Sequence, residues 1–262
     1  MTSVFISYAS QDVKQAGVLH HLLTVVGFDC FLAHKDIPKG KQWREEIVRE
    51  LGVSDVFLAL LSEHGVASPW VQQESGMAHL LHKKGKKPLV IPVVPEGEVP
   101  PGCLSEYQAQ SIGLTLWLSK LNVSTDIAKK LVLSIMGTLH CEASVKLLAI
   151  ESLKSAKAED FAFVVDVLSS SGSLTFHEFL SLIRQAISNA LAPRSDAIMT
   201  TLYGLLELHR AELSKLPDWV RAWNELHQMY TKFKEEQRKQ QEEMIRSWQQ
   251  AMKPKADVPK PD

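Results

Sequence analysis

Short apolar runs with hydrophobic residues on both faces alternate with segments of helical period through the first half of the chain. No other feature narrows the fold as far. The runs are Val4–Ile6, Phe28–Leu32, Val56–Leu61 and Pro88–Val94. Between the first two, Leu19, Leu22, Leu23 and Val26 are spaced i, i+3, i+4, i+7, with Ser10 placed as a cap and Gly27 as a stop. Trp43, Ile47 and Leu51 stripe a second helix. Ser68 suits an N-cap and Pro69 a first helical position, opening a third helix with Trp70, Met77 and Leu81 at helical intervals. A weaker strand is expected within 111–116, then a helix carrying Ile127, Leu131 and Ile135. Strands apolar on both faces must be covered on both sides, so the pattern predicts a parallel sheet between helical layers. Five such β-α units predict a flavodoxin-like five-stranded α/β domain ending near Cys141.

Totals exclude several classes. The net charge of -1 over 262 residues supplies no pull toward nucleic acid or an anionic membrane. Three cysteines, Cys30, Cys103 and Cys141, lie far apart and form no C-x-x-C pair, which argues against a disulfide framework or a zinc site. No histidines stand at metal-ligand spacing, so no metal is assigned. The first residues lack the basic and apolar regions of a signal peptide, and no apolar run approaches membrane-spanning length. A cytoplasmic protein is the expectation.

In a sheet of this kind ligands bind beyond the carboxyl ends of the strands. That gathers Ser7, Tyr8, the 33–41 loop and the start of the third helix around one crevice. On that helix Trp70 and Glu74 are four residues apart and share a face. Glu74 is either a functional carboxylate or a solvated helix residue. Trp70 either stacks on a ligand ring or packs the core. Ser7 and Tyr8 either hydrogen-bond a ligand or cap a loop. Asp36 either contacts ligand or, the favoured reading, organises its own turn. Lys35, Lys39 and Lys41 either attract phosphate or are simply solvated. The chain lacks a P-loop, a G-x-G-x-x-G and a G-x-S-x-G elbow, which removes the nucleotide-hydrolase, hydride-transfer and α/β-hydrolase readings.

From Glu142 the pattern becomes helical, with segments over 144–153, 159–168, 176–191, 196–213 and 217–252. Residues 253–262 have the proline and charge content of a disordered tail. The expected division is therefore an α/β domain over 1–141, an all-α domain over 142–252 and the tail. Ser169–Glu178 mimics an EF-hand loop, but Val167 and two serines stand where acids are needed, so a capped helix start at Ser173 or Thr175 is the better account. The last helix carries Trp219, Trp223, Leu226, Tyr230, Phe233, Gln237, Gln240 and Met244 in alternating steps of four and three. That seam either covers the chain's own helices or binds a second copy.

Four motifs together carry a family resemblance. Val4–Asp12, Asp36-Ile-Pro-Lys-Gly40 followed by Trp43, Ser68-x-Trp70-x-x-x-Glu74, and Tyr107-Gln108 occur in the order and spacing of Toll/interleukin-1 receptor (TIR) domains. Many relatives carry Cys after the tryptophan, where this chain has Val71. The helical half resembles no family. TIR domains fall into two classes: enzymes that cleave NAD+ between nicotinamide and ribose with a third-helix glutamate, and non-catalytic adaptors that pair with other TIR domains. The resemblance implies Glu74 as the catalytic carboxylate. It places Trp70 as the neighbouring aromatic and makes NAD+ a substrate rather than a cofactor; with Ser7, Tyr8, Asp36 and Ser68, which the expected crevice brings near, Trp70 completes the expected substrate surroundings. It also implies activation by TIR–TIR assembly and a defence role, with the helical half as sensor, assembly module or partner surface.

Overall fold

The computed structural model describes residues 1–32, 43–85, 87–95, 98–112, 125–172, 174–213, 215 and 217–251. Five parallel strands form one sheet in the order β2-β1-β3-β4-β5: β1 (Ser3–Ser7), β2 (Asp29–Leu32), β3 (Val56–Leu60), β4 (Leu89–Pro95) and β5 (Gln110–Ile112). This is the flavodoxin-like order expected from the alternation of strand and helix. Central pairing aligns Phe5 with Phe57 and Ile6 with Leu58, and every residue of β3 is buried. The fifth strand, described over Gln110–Ile112, sits at the sheet edge; residues 113–116 of the expected strand lie outside the described residues.

Side chains alternate across the sheet, so each face has its own core. On one face Phe5, Phe57, Ala59, Val90 and Val94 pack against Ile47 and Leu51 of α2 (Trp43–Val53) and Val71 and Ala78 of α4 (Pro69–Lys83). The Phe5 and Phe57 rings stack at 5.8 Å between centroids. The helices α1 (Val13–Val25) and α5 (Thr125–Leu139) supply Leu19, Leu23, Leu131 and Ile135 as further buried residues, and the two helices contact each other.

Two local features depart from expectation. Ser10 begins a 3-10 turn over Ser10–Asp12 and bonds Gln11 rather than capping α1. A five-residue helix, α3 (Glu63–Ala67), intervenes before α4. Its N-cap Ser62 accepts from Gly65 N–H at 3.0 Å and donates to Asp12 Oδ2 at 2.5 Å, tying the β3 exit to the β1 exit. Gly65 itself lies so close to Leu60 that a Cβ there would stand 2.0 Å from the Leu60 carbonyl oxygen.

By contacts the chain divides into compact units Met1–Gln185 and Ala186–Asp262. The expected boundary near Cys141 falls inside the first unit, between α5 and α6 (Glu142–Ser152), where His140 takes a left-handed φ of 51°. Beyond it, α6, α7 (Ala158–Ser170) and α8 (Phe176–Ile187) follow. Gly27, at φ 95°, shows how closely α6 approaches the sheet domain: a Cβ there would lie 2.4 Å from Leu148 Cβ. His21 Nε2 meets Asp160 Oδ1 at 2.7 Å, linking α1 to α7. Before α8, Thr175 and Glu178 form a reciprocal capping box, with Thr175 N–H donating to Glu178 Oε2 at 2.8 Å and Glu178 N–H to Thr175 Oγ1 at 3.2 Å. The calcium-like spacing is therefore spent on a helix start.

In the second unit α9 (Asp196–Leu213) packs against α10 (Pro217–Ala251) through its described residues. Tyr203 meets Trp223 edge-on at 4.9 Å, and Asp196 accepts from Tyr230 and Lys234 at 3.1 and 2.9 Å. The first part of the seam thus covers the chain's own helix. Past Lys234 the described side chains of α10 are exposed, Met244 at 65 % and Trp248 at 63 %. The side chains of Trp219 and Leu226 lie outside the described ones.

Candidate active site

The inward stripe of α4 is Val71, Glu74, Ser75 and Ala78, spaced i, i+3, i+4, i+7. An apolar reading of the helix would orient it by Trp70, Met77 and Leu81, yet these are only partly buried. Two polar side chains occupy positions that the fold gives to its core. Glu74 is 1 % exposed. Ser75 is buried as well, and its Oγ has no hydrogen-bond partner among the described residues.

Ser7, the last residue of β1, lies directly beneath this stripe and is completely buried. Its Oγ donates to Glu74 Oε2 at 2.5 Å. Oε1, the other carboxyl oxygen, is buried without a partner among the described residues. Moving a charged carboxylate out of water is costly unless several donors replace the lost hydration. Burial accordingly pushes the Glu74 carboxyl up to about 7, with the Ser7 hydrogen bond pulling the other way. The group is balanced between acid and carboxylate at neutral pH.

Glu74 forms part of the wall of a cavity of about 270 Å³ between α2 and α4, shared with Arg44, Ile47, Val48, Trp70, Gln73 and Met77. The Arg44 guanidinium carbon stands 5.8 Å from the Trp70 ring centroid, within cation–π range. An aromatic ring, a cation and a buried carboxyl residue line a single space. Trp70 also borders a second cavity of about 420 Å³, lined by Ser10, Gln11, His64, Ala67, Ser68 and Pro69.

The expected site residues divide accordingly. Ser7, Trp70 and Glu74 come together. Ser68 caps α4, accepting from Val71 N–H at 3.4 Å, and borders the second cavity rather than the first. Tyr8 is buried at the exit of β1 and is absent from both linings. Asp36, Lys35, Lys39, Lys41 and the Trp43 side chain lie outside the described residues. Arg44 and Gln73 escaped the sequence reading, because nothing in a single sequence says which face of α2 meets α4. Among the described residues no group of three or more His, Cys, Asp and Glu side chains could hold a metal ion. Among them too, no helix is long and apolar enough to cross a membrane.

A doubly wound parallel sheet with a glutamate set into the inner face of α4 defines a small α/β domain with a site at its helical edge. Residues 4–124 match the family model of the TIR domain. No curated protein matches the chain.

Proposed function

We propose that this TIR domain cleaves NAD+ at the bond between nicotinamide and ribose, with Glu74 as the catalytic carboxylate. The observation that carries the reading is a buried Glu74 carboxyl, its Oε1 without a hydrogen-bond partner among the described residues, in a residue that lines a cavity together with Trp70. A protein rarely retains a carboxylate at a core position of a helix for stability alone, and a strongly shifted acid in a cleft marks a functional candidate.

The chemistry needs little more. NAD+ carries its leaving group as a cationic pyridinium, so nicotinamide departs as a neutral molecule with the bonding electron pair and needs no general acid. Positive charge then develops on the ribosyl centre. A carboxylate fixed beside that centre stabilises it, most effectively where water is excluded. Water attacking the ribosyl carbon and losing a proton gives ADP-ribose; attack by a nucleophilic atom of the substrate's own adenine gives a cyclic product. Trp70 offers a face for the ring, and Ser7 holds the carboxylate in one orientation.

TIR domains self-associate, and assembly with other copies is the expected trigger, within a defence role. The test is release of nicotinamide from NAD+ by the full chain, followed by mass spectrometry, for the wild type and Glu74→Gln. Loss of turnover in the variant with an unchanged circular dichroism spectrum supports the assignment. Full activity in the variant removes Glu74 from it, and absence of turnover in every assembled state leaves an adaptor.

A further inference from the structure

The helix α10 outruns the helix it packs on. Tyr203 meets Trp223, and Asp196, the first residue of α9, meets Tyr230 and Lys234, so the two helices run antiparallel and α9 begins at the level of Lys234. Every described side chain from Lys234 to Trp248 is exposed. That is about 20 Å of helix. A free helix of such length is marginal in water, because most helical stability comes from packing an apolar face.

The face that α9 covers does not end with α9. Trp223, Tyr230 and Gln237 follow at steps of seven, then Gln241, Met244 and Trp248 at steps of four and three, all on one side of the helix. Met244, Ile245 and Trp248 are 65 %, 45 % and 63 % exposed. Methionine and tryptophan are residues that protein interfaces favour.

The charges on the overhang say what covers it. They come in blocks of alternating sign: Glu235-Glu236, Arg238-Lys239, Glu242-Glu243 and Arg246. One acid in excess gives no attraction to an anionic lipid surface. Within the helix, Arg238 and Arg246 stand 3.8 and 3.9 Å from Glu242, beyond hydrogen-bond distance. Reversing the order of these blocks exchanges their signs, so the overhang is complementary to its own reverse.

We propose that the overhang of α10 pairs antiparallel with the same segment of a second copy of this chain, about a two-fold axis between Gln240 and Gln241. That register sets each acidic block level with a basic block of the other copy. It also sets Trp248 level with Phe233 of the second copy, which is half-buried at the edge of α9, and Met244 level with Gln237. The two overhangs then overlap along their whole length and stop where each copy's α9 begins. Such a contact is isologous and closes as a dimer.

Sedimentation velocity of the full chain at rising concentration should show a monomer–dimer equilibrium. Trp248→Ser should raise the dissociation constant at least about tenfold, as for an aromatic anchor. Arg238→Glu/Lys239→Glu should abolish the dimer, since acidic blocks then meet acidic ones. Adding Glu242→Lys/Glu243→Lys to that variant should restore it, a rescue that an antiparallel pair predicts and a parallel pair does not. A chain that stays monomeric at every concentration overturns the pairing. So does a dimer indifferent to Trp248→Ser, which marks association elsewhere in the chain, or a quadruple variant that is monomeric with its helix content by circular dichroism intact. Monomers that bind vesicles of phosphatidylcholine and phosphatidylglycerol through Trp248 overturn it in favour of a membrane. None of these outcomes turns on whether NAD+ is cleaved.

Discussion

Ser7 and Glu74, 67 residues apart in the chain, meet at 2.5 Å between hydroxyl and carboxylate inside a closed core. Ser7 is the only described residue to donate to the carboxyl, so replacing it should act on the acid rather than on the cavity. In Ser7→Ala the carboxyl titrates at higher pH still, because burial is no longer opposed. The acid limb of the pH–rate profile should move upward. At pH 7 kcat should fall roughly tenfold, a typical loss for one hydrogen bond to a charged group, and recover in part above pH 8.

Glu74→Gln should gain stability relative to the wild type as pH rises. The folded-state value of about 7 lies above the ordinary carboxylate value, so the folded protein binds the extra proton between them. The stability this represents is complete below about pH 4 and is lost as pH climbs through 7. The amide has no such loss. Thermal melts of both proteins should coincide near pH 5 more closely than at pH 8, where the variant is ahead by up to about 3 kcal/mol. Parallel melting curves at all pH values would contradict the buried, shifted acid.

Ser62→Ala should be costly for the loss of one buried hydroxyl. One hydroxyl caps α3 and also satisfies the buried Asp12, whose carboxyl burial already pushes up. Losing both should destabilise by about 2–3 kcal/mol in urea melts.

Gly27→Ala and Gly85→Ala separate strain from collision. Both glycines have positive φ, but a Cβ at Gly85 meets nothing within 4 Å while one at Gly27 meets Leu148. Gly85→Ala should cost about 1 kcal/mol and Gly27→Ala at least twice that. By the same packing, a fragment ending at Gln185 should unfold cooperatively at a higher temperature than one ending at Cys141.

Glu178→Ala should lower stability by about 1 kcal/mol through loss of the capping box, and calcium should leave the melting temperature of the wild type unchanged. A calcium-dependent rise would restore the EF-hand reading.

What the sequence disclosed follows from the range of the interactions involved. Val4–Ile6 and Val56–Leu61 announced buried strands, since two-faced apolarity is a local property, and the parallel order followed from the alternation with helices. A cap at Ser173 or Thr175 was legible for the same reason, and the structure adds the partner Glu178, three residues after Thr175. Glu74 could be singled out by motif and by the face it shares with Trp70, but the rotation of the helix could not: Trp70, Met77 and Leu81 outweigh Val71 and Ala78 in size, yet the helix turns its Val71 and Ala78 side to the sheet and buries Ser75 with it. Only the sheet beneath decides the rotation. The pairing with Ser7, the approach of Arg44 to Trp70 and the fit of Leu148 against Gly27 are all long-range. Each depends on register between elements, which the pattern of one element does not contain.

A carboxyl group that burial raises to about 7 and that lines a cavity would tie proton traffic to the traffic of any ligand entering there. A cation that enters favours the charged form of Glu74, so its arrival expels part of a proton from every site that still holds one. A neutral ligand of the same shape expels none. Calorimetric heats measured in buffers of different ionisation enthalpy would count that proton, and the count would report which form of the acid meets the ligand.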